Sequence, residues 1–319
     1  MANCHDLFLE FYDQIVLPDT KKENLRIARD AIRDRIEKKF AEAGRQPVPL
    51  FRDQGSYAIH TIVNPINGEY DIDDGVYLQN LDKTNKKNWP SPETAHQWVF
   101  DAVDGHIDQK PIDKRTCVRV IYKGKYHLDL PIYAELNGNK FHAEKGPKGW
   151  NPSDPQKVTE WFQNVIKQHG DQLRRMVRYF KAWGDYNSKD GKLPSVFIFT
   201  VLVVENLATT ERDDVCFGKL IKALHARMLS IPYVYNPVDP SEDLYQQYDD
   251  KGKKRFLDLL RRVQVAASNA LTAESKKDAC KNWYKEFGDR WANCDALDEE
   301  DKPRYTKGPA ILKDDARSA

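Results

Sequence analysis

Two aspartates one residue apart, followed by a third in an apolar strand, constrain this chain of 319 residues more than any other feature. Strand side chains alternate between faces, so Asp71 and Asp73 of Asp71-Ile72-Asp73 point one way while Ile72 points into a core. In Tyr126-His127-Leu128-Asp129-Leu130-Pro131, Leu128 and Leu130 share one face and His127 and Asp129 the other. Carboxylates converging from two strands repel one another unless cations lie between them. Oxygen-only ligands suit Mg²⁺, which also takes oxygens from substrate phosphates. Upstream, Gln54-Gly55-Ser56 reads as a Gly turn that opens a helix, where Ser56 offers a hydroxyl and free N–H groups to a phosphate. Alone, an Asp-x-Asp is most often a surface pair or a cap, and Gly-Ser is only a turn. In this order, with an apolar-flanked Asp after them, the three elements point to two-metal nucleotidyl transfer.

A chain of this length buries a large core and is expected to split into two lobes. Its formal net charge is only +1, which argues against a broad basic surface for long nucleic acid. No apolar run is long enough for a membrane helix, and Met1-Ala2-Asn3-Cys4-His5 is not a signal peptide. Cys4, Cys117, Cys216, Cys280 and Cys294 are odd in number, scattered and without a C-x-x-C pair. They read as reduced thiols of a cytoplasmic protein.

Thr20-Lys21-Lys22-Glu23 has the form of a capping box opening a long helix with the stripe Leu25, Ala28, Ile32, Ile36 and Phe40. That helix is expected either as a spine behind both lobes or as an ordinary core helix. A loop around Asn64-Pro65-Ile66-Asn67-Gly68 precedes the first acidic strand. Ser91-Pro92 predicts a capped helix running to Val103. Thr116–Tyr122 and Lys125–Tyr133 predict paired strands turning at Lys123-Gly124, and Asn137-Gly138 another tight turn. From Asn151 the pattern is helical: Asp154-Pro155 is a cap, Gly170 separates two helices, and Ser195–Leu207 is apolar almost all round. Further helices are expected near Asp213–Leu229, Lys251–Ala270 and Ala273–Asn293. The division is residues 1–150, a catalytic lobe with an N-terminal spine helix; 151–295, a helical lobe; and 296–319, a charged tail expected to be flexible. A cleft between the lobes is the expected ligand site.

Several runs carry a resemblance across most of the chain: Gln54-Gly55-Ser56, Tyr70-Asp71-Ile72-Asp73-Asp74-Gly75-Val76-Tyr77, and Leu128-Asp129-Leu130-Pro131-Ile132-Tyr133. Ser153-Asp154-Pro155, Glu160-Trp161-Phe162, Arg178-Tyr179-Phe180-Lys181-Ala182-Trp183 and Leu193-Pro194-Ser195 continue it. Together they resemble the cGAS/DncV-like nucleotidyltransferases of bacterial anti-phage signalling, most of all the DncV-type cyclic GMP-AMP synthase branch. The resemblance implies an α+β fold: a polymerase-β-like lobe with a mixed sheet packed against a C-terminal helical lobe. It implies that Asp71, Asp73 and Asp129 hold two Mg²⁺ ions, with Mn²⁺ able to substitute, and that Asp129 also helps deprotonate the attacking ribose hydroxyl. Gln54, Gly55 and Ser56 bind the donor triphosphate on the same grounds. Lys181 and Ser195 hold the β- and γ-phosphates from the opposite wall, and Arg119 lies near the acceptor nucleotide. Read without the family, Ser195 is a plain helix cap, Lys181 a solvated lysine and Arg119 a strand-surface residue.

His127 is read as structural or substrate-facing with no named role, and Asp74 as bonding the backbone of a Gly75 turn. Tyr179 and Trp183 could stack a base, although aromatic stripes at helical spacing are usually core. The expected reaction joins two nucleoside triphosphates, ATP and GTP, into a cyclic purine dinucleotide. The alternative is a non-cyclising nucleotidyltransferase acting on RNA ends, a protein or a small molecule. The family also includes members conjugated through the C-terminus by a ubiquitin-ligase-like partner, and small Ala319 is compatible with that.

Overall fold

The computed structural model describes residues 2–123, 126–189 and 191–297, and in them a mixed sheet is followed by a bundle of helices. The chain opens with α1 (His5–Ile15) and α2 (Asp19–Glu42), then β1 (Leu50–Gln54), the single turn α3 (Gly55–Ala58) and β2 (Tyr70–Tyr77). After α4 (Pro92–Val103) come β3 (Ile112–Asp113), β4 (Val118–Tyr122), β5 (Tyr126–Leu130), β6 (Ile132–Leu136), β7 (Asn139–Glu144) and β8 (Gly149–Pro152). The bundle holds α5 (Pro155–His169), α6 (Asp171–Asn187), α7 (Val196–Asn206) and α8 (Asp213–Ser230). A hairpin of β9 (Tyr235–Asn236) and β10 (Asp239–Asp243) precedes α9 (Asp250–Thr272) and α10 (Lys276–Phe287).

β2 is the centre of the catalytic sheet. It pairs antiparallel with β1 on one side. On the other it runs parallel to β5, Asp73 beside Asp129, and in the same register to β6, Val76 beside Ile132. Pro131 breaks β5 from β6 because it has no N–H for the ladder. From there β5 pairs with β4 and β6 with β7, and β3 and β8 close the two edges. The strand expected over Lys125–Tyr133 is thus two strands. Its turn at Lys123-Gly124 falls partly at Gly124, outside the described residues.

One face of this sheet is apolar and covered. Leu25, Ile32, Ile36 and Phe40 of α2 and Val99 of α4 pack on Ile72, Val118 and Leu128. The expected stripe of α2 is buried throughout, but in this lobe alone, so α2 is a core helix and not a spine behind both lobes. Its start also differs from expectation: Pro18 is the N-cap, no side chain caps the helix, and Thr20 lies in the first turn. Glu23 instead pairs with Arg26 at 2.6 Å. The caps at Ser91 and Asp154 form as expected, accepting from Thr94 N and from Gln156 N.

α1 packs in the other core. Leu7, Phe8, Phe11 and Ile15 are buried among α6, α8 and α10, so the first helix, grouped by sequence with the catalytic lobe, joins the helical one. α7 supplies the centre of that core through Phe199, Val201 and Leu202. Tyr179 and Trp183 are fully buried and serve as core. Cys280, within α10, and Cys294 form a disulfide that ties this helix to the segment after it, correcting the reading of all five cysteines as thiols. Sequence spacing did not reveal the pair because the fold, not a C-x-x-C motif, brings the two together. Cys4, Cys117 and Cys216 are buried thiols. No helix among the described residues is long and apolar enough to cross a membrane.

Candidate active site

β1 ends at Gln54 and the chain turns at once into α3, which lays Gly55 and Ser56 beside the acidic face of β2. Gly55 has φ +59°, and a Cβ there would meet Asp73 Oδ2 at 2.4 Å. Only glycine lets this turn close on the carboxylate. Gly75 answers a second close approach, since a Cβ there would meet Gln54 Nε2 at 2.0 Å. Gln54 is buried: its Nε2 donates to Tyr77 OH (3.3 Å) and its Oε1 accepts from Tyr133 OH (3.2 Å). Its amide therefore anchors the turn.

The β2–β5 register sets Asp71 beside His127 and Asp73 beside Asp129, all four facing away from buried Ile72 and Leu128. The carboxylates differ sharply in environment. Burial, then the charges of Asp71 and Asp129, push Asp73 up to about 7. Desolvation also raises Asp71, but the His127 imidazole and the charges of Arg119 and Lys181 outweigh it and leave this acid lowered. Asp129 is held by Arg119 in a two-point pair, Nε to Oδ1 and Nη2 to Oδ2, each at 2.6 Å. Arg119 lies directly across the β4–β5 ladder from Asp129. The structure thus places Arg119 on the third aspartate.

The opposite wall comes from α6. Lys181 is buried, and its Nζ donates to Ser56 Oγ at 2.9 Å and to Thr61 Oγ1 at 2.8 Å. Burial, then the nearby Arg178 charge, push this lysine down to about 7, with Asp71 opposing. Lys181 and Ser56, which are 125 residues apart, therefore meet in the wall of a cavity of about 660 Å³ that Gln54, Gly55 and Asp73 also line. Ser195 is not among the residues lining that cavity. It caps α7, its Oγ accepting from Ile198 N at 3.4 Å, while its own N–H donates to Tyr248 OH at 2.9 Å. The neighbouring Val196, Phe197 and Thr200 line the cavity instead. Asp74 points the other way: β2 runs straight through Gly75, and fully buried Asp74 pairs with Arg33 of α2 at 2.6 and 2.7 Å. It bonds no Gly75 turn because there is none.

One family model, cyclic GMP-AMP synthase DncV-like, nucleotidyltransferase domain, matches residues 49–133. A second, cyclic GMP-AMP synthase, C-terminal domain, matches residues 170–300. The chain belongs to the DncV-like nucleotidyltransferases. It is 28% identical over 267 residues to a cyclic GMP-AMP synthase of Escherichia albertii, covering 75% of this chain but only 57% of that protein. It is 25% identical over 303 residues to a cyclic AMP-AMP-AMP synthase of an Acinetobacter strain, covering 89% of this chain and 84% of that one. In fold it is similar to a mutant of the Vibrio cholerae di-nucleotide cyclase DncV solved in complex with ATP and GTP. The TM-score is 0.78 at 22% identity, over 92% of this chain and 98% of that one.

In this nucleotidyltransferase the acidic face fits a divalent cation. Asp71, His127 and Asp129 each offer a ligand atom within 4.8 Å of the others, and Asp73 stands beside them, its carboxyl raised by burial and by the charges of Asp71 and Asp129. Two further residues shape the site and were not singled out from sequence. Thr61 is buried and steadies Lys181. Arg178, one residue of the Arg178–Trp183 run, donates to His60 O (2.7 Å) and Ile62 O (3.3 Å) and so fixes the loop that presents Thr61. The β9–β10 hairpin, also not foreseen, lines the cavity through Asn236 and Asp239. No motif announced these contacts, because each joins segments far apart in the chain.

Proposed function

We propose that this chain is a cyclic dinucleotide synthase that joins two nucleoside triphosphates by two-metal nucleotidyl transfer with loss of pyrophosphate. The observation that carries it is the meeting of Ser56 and Lys181 beside Asp73 in one cavity, with Asp71 and Asp129 on the same sheet face. ATP and GTP are the proposed substrates and a cyclic GMP-AMP the proposed product, in keeping with the relatives' names.

Lys181 and Ser56 separate from each other to hold the donor triphosphate, the lysine as a point charge. Divalent cations, Mg²⁺ by proposal and Mn²⁺ as substitute, would be held by Asp71, Asp73 and Asp129 and would neutralise charge on the phosphates. Asp129, kept in place by Arg119, takes the proton of the attacking ribose hydroxyl. That oxygen bonds to the α-phosphorus as the bond to pyrophosphate breaks. The linear dinucleotide then turns round in the same cavity, its own triphosphate becomes the donor, and a second identical transfer closes the ring. Positioning and charge neutralisation supply most of the acceleration.

A second reading keeps the chemistry and adds a third nucleotide. It is favoured by the Acinetobacter relative, which aligns over more of this chain than the Escherichia albertii one. The net charge of +1 argues against the non-cyclising alternative on RNA ends, which asks for a long basic groove. The wider proposal is a cytoplasmic enzyme whose product is an anti-phage signal. A ubiquitin-ligase-like partner belongs to that proposal, and Ala319 lies outside the described residues.

The test is incubation with all four nucleoside triphosphates and Mg²⁺, then phosphatase, then mass spectrometry. A phosphatase-resistant cyclic product is expected, absent from Asp71→Asn/Asp73→Asn. Products that all lose their phosphates to phosphatase would overturn cyclisation and leave transfer to another acceptor.

A further inference from the structure

We propose that His127 is a nitrogen ligand of the catalytic cation and tilts this centre from Mg²⁺ toward Mn²⁺. The inference rests on the reading of Asp71, Asp73 and Asp129 as cation holders and adds a fourth side chain to them.

The parallel register of β2 and β5 makes a square of four side chains on one face: Asp71 beside His127, Asp73 beside Asp129. Three of its corners are carboxylates and the fourth is an imidazole. His127 Nε2 is buried and has no hydrogen-bond partner among the described residues. A buried ring nitrogen without a partner is costly and calls for an explanation, an ion included. The nearest acid does not provide one, since Asp71 Oδ2 is 3.7 Å away, too far for a hydrogen bond. That spacing is close to what one ion asks of two adjacent ligands: atoms each about 2.1 Å from a cation and roughly 90–110° apart lie about 3.0–3.5 Å from each other. Asp129 completes the group within 4.8 Å.

The ligand set decides the ion. Mg²⁺ demands oxygen ligands and sheds water reluctantly. An imidazole favours first-row transition ions over Mg²⁺, and a site otherwise made of carboxylates suits Mn²⁺ among them. A plain ion pair that merely steadies Asp71 would use the same atoms, so the test must see the metal–nitrogen bond itself.

Pulsed electron paramagnetic resonance of bound Mn²⁺ does this. The full chain is labelled with ¹⁵N-histidine and loaded with Mn²⁺ alone and with Mn²⁺ plus a nonhydrolysable ATP analogue, whose own nitrogens stay ¹⁴N. The expected result is a directly bonded ¹⁵N coupling, replaced by ¹⁴N in unlabelled protein and lost in His127→Asn, which still binds Mn²⁺ on the order of tenfold more weakly. Asp71-dependent Mn²⁺ binding without a histidine nitrogen coupling would overturn the role of His127 and leave the aspartate site standing, as would a coupling that survives His127→Asn. Mn²⁺ binding indifferent to Asp71→Asn and Asp73→Asn would overturn both. Absence of a histidine nitrogen coupling in the labelled wild-type protein would overturn the proposal even if a variant fails to fold.

Discussion

Lys181 shows how one side chain can be costly to the fold and useful to the site. Burial and Arg178 displace its titration from the ordinary 10.5 down to about 7. The folded state therefore disfavours the charged form, and each unit of displacement is about 1.4 kcal/mol. The loss of stability grows as pH falls from 10.5 and levels off below about 7. Lys181→Met should accordingly be more heat-stable than wild type near pH 7, with the gain vanishing toward pH 10.5. A bound triphosphate reverses the preference, so nucleotide binding at pH 8 should draw in a proton at Lys181. Calorimetry in two buffers of different ionisation enthalpy should find that uptake in wild type and not in Lys181→Met, whose affinity falls on the order of tenfold or more. Equal proton uptake by the two proteins would refute the role given to this lysine.

Between elements, the sheet and α2 are joined by charge as well as by apolar packing. Arg33 reaches from α2 to fully buried Asp74 and to Asp53, which Arg29 also holds at 2.9 Å. Removing Arg33 would strand a buried carboxylate, a loss of about 3–5 kcal/mol. Urea denaturation should show that loss in Arg33→Met and a partial recovery in Arg33→Met/Asp74→Asn. A loss under about 1 kcal/mol would mean the pair is only a surface contact. The same scale shows what sequence can and cannot tell. Asp71, Ile72 and Asp73 were readable because a strand's period of two leaves no choice of face. The stripe of α2 was readable for the equivalent reason at helical spacing. Asp74 was misread because its partner lies 41 residues upstream, and a local turn was the nearest available explanation. Leu7, Phe8, Phe11 and Ile15 give α1 a helical stripe, but its place in the far lobe is set by packing alone.

Across the whole molecule, the site exists only because two cores are brought face to face. Arg290 donates to Asn64 O in the loop before β2 and to Ala182 O beside Lys181, both at 2.9 Å, and so ties the loop that carries Thr61 to α6. Neither this tie nor the Lys181–Ser56 contact could be read from spacing, since the partners are more than a hundred residues apart. The family resemblance pointed to Lys181 without its geometry, and to Ser195 where the cavity is in fact lined by Val196, Phe197 and Thr200. The proposed transfer turns on Asp129, held by Arg119 and set beside Asp73. Its most direct test is turnover of labelled nucleoside triphosphate by wild type and Asp129→Asn in parallel, with nucleotide binding measured on both. Asp129→Asn is expected to bind nucleotide still and to make neither linear nor cyclic product. Product formation by Asp129→Asn at the wild-type rate would contradict it.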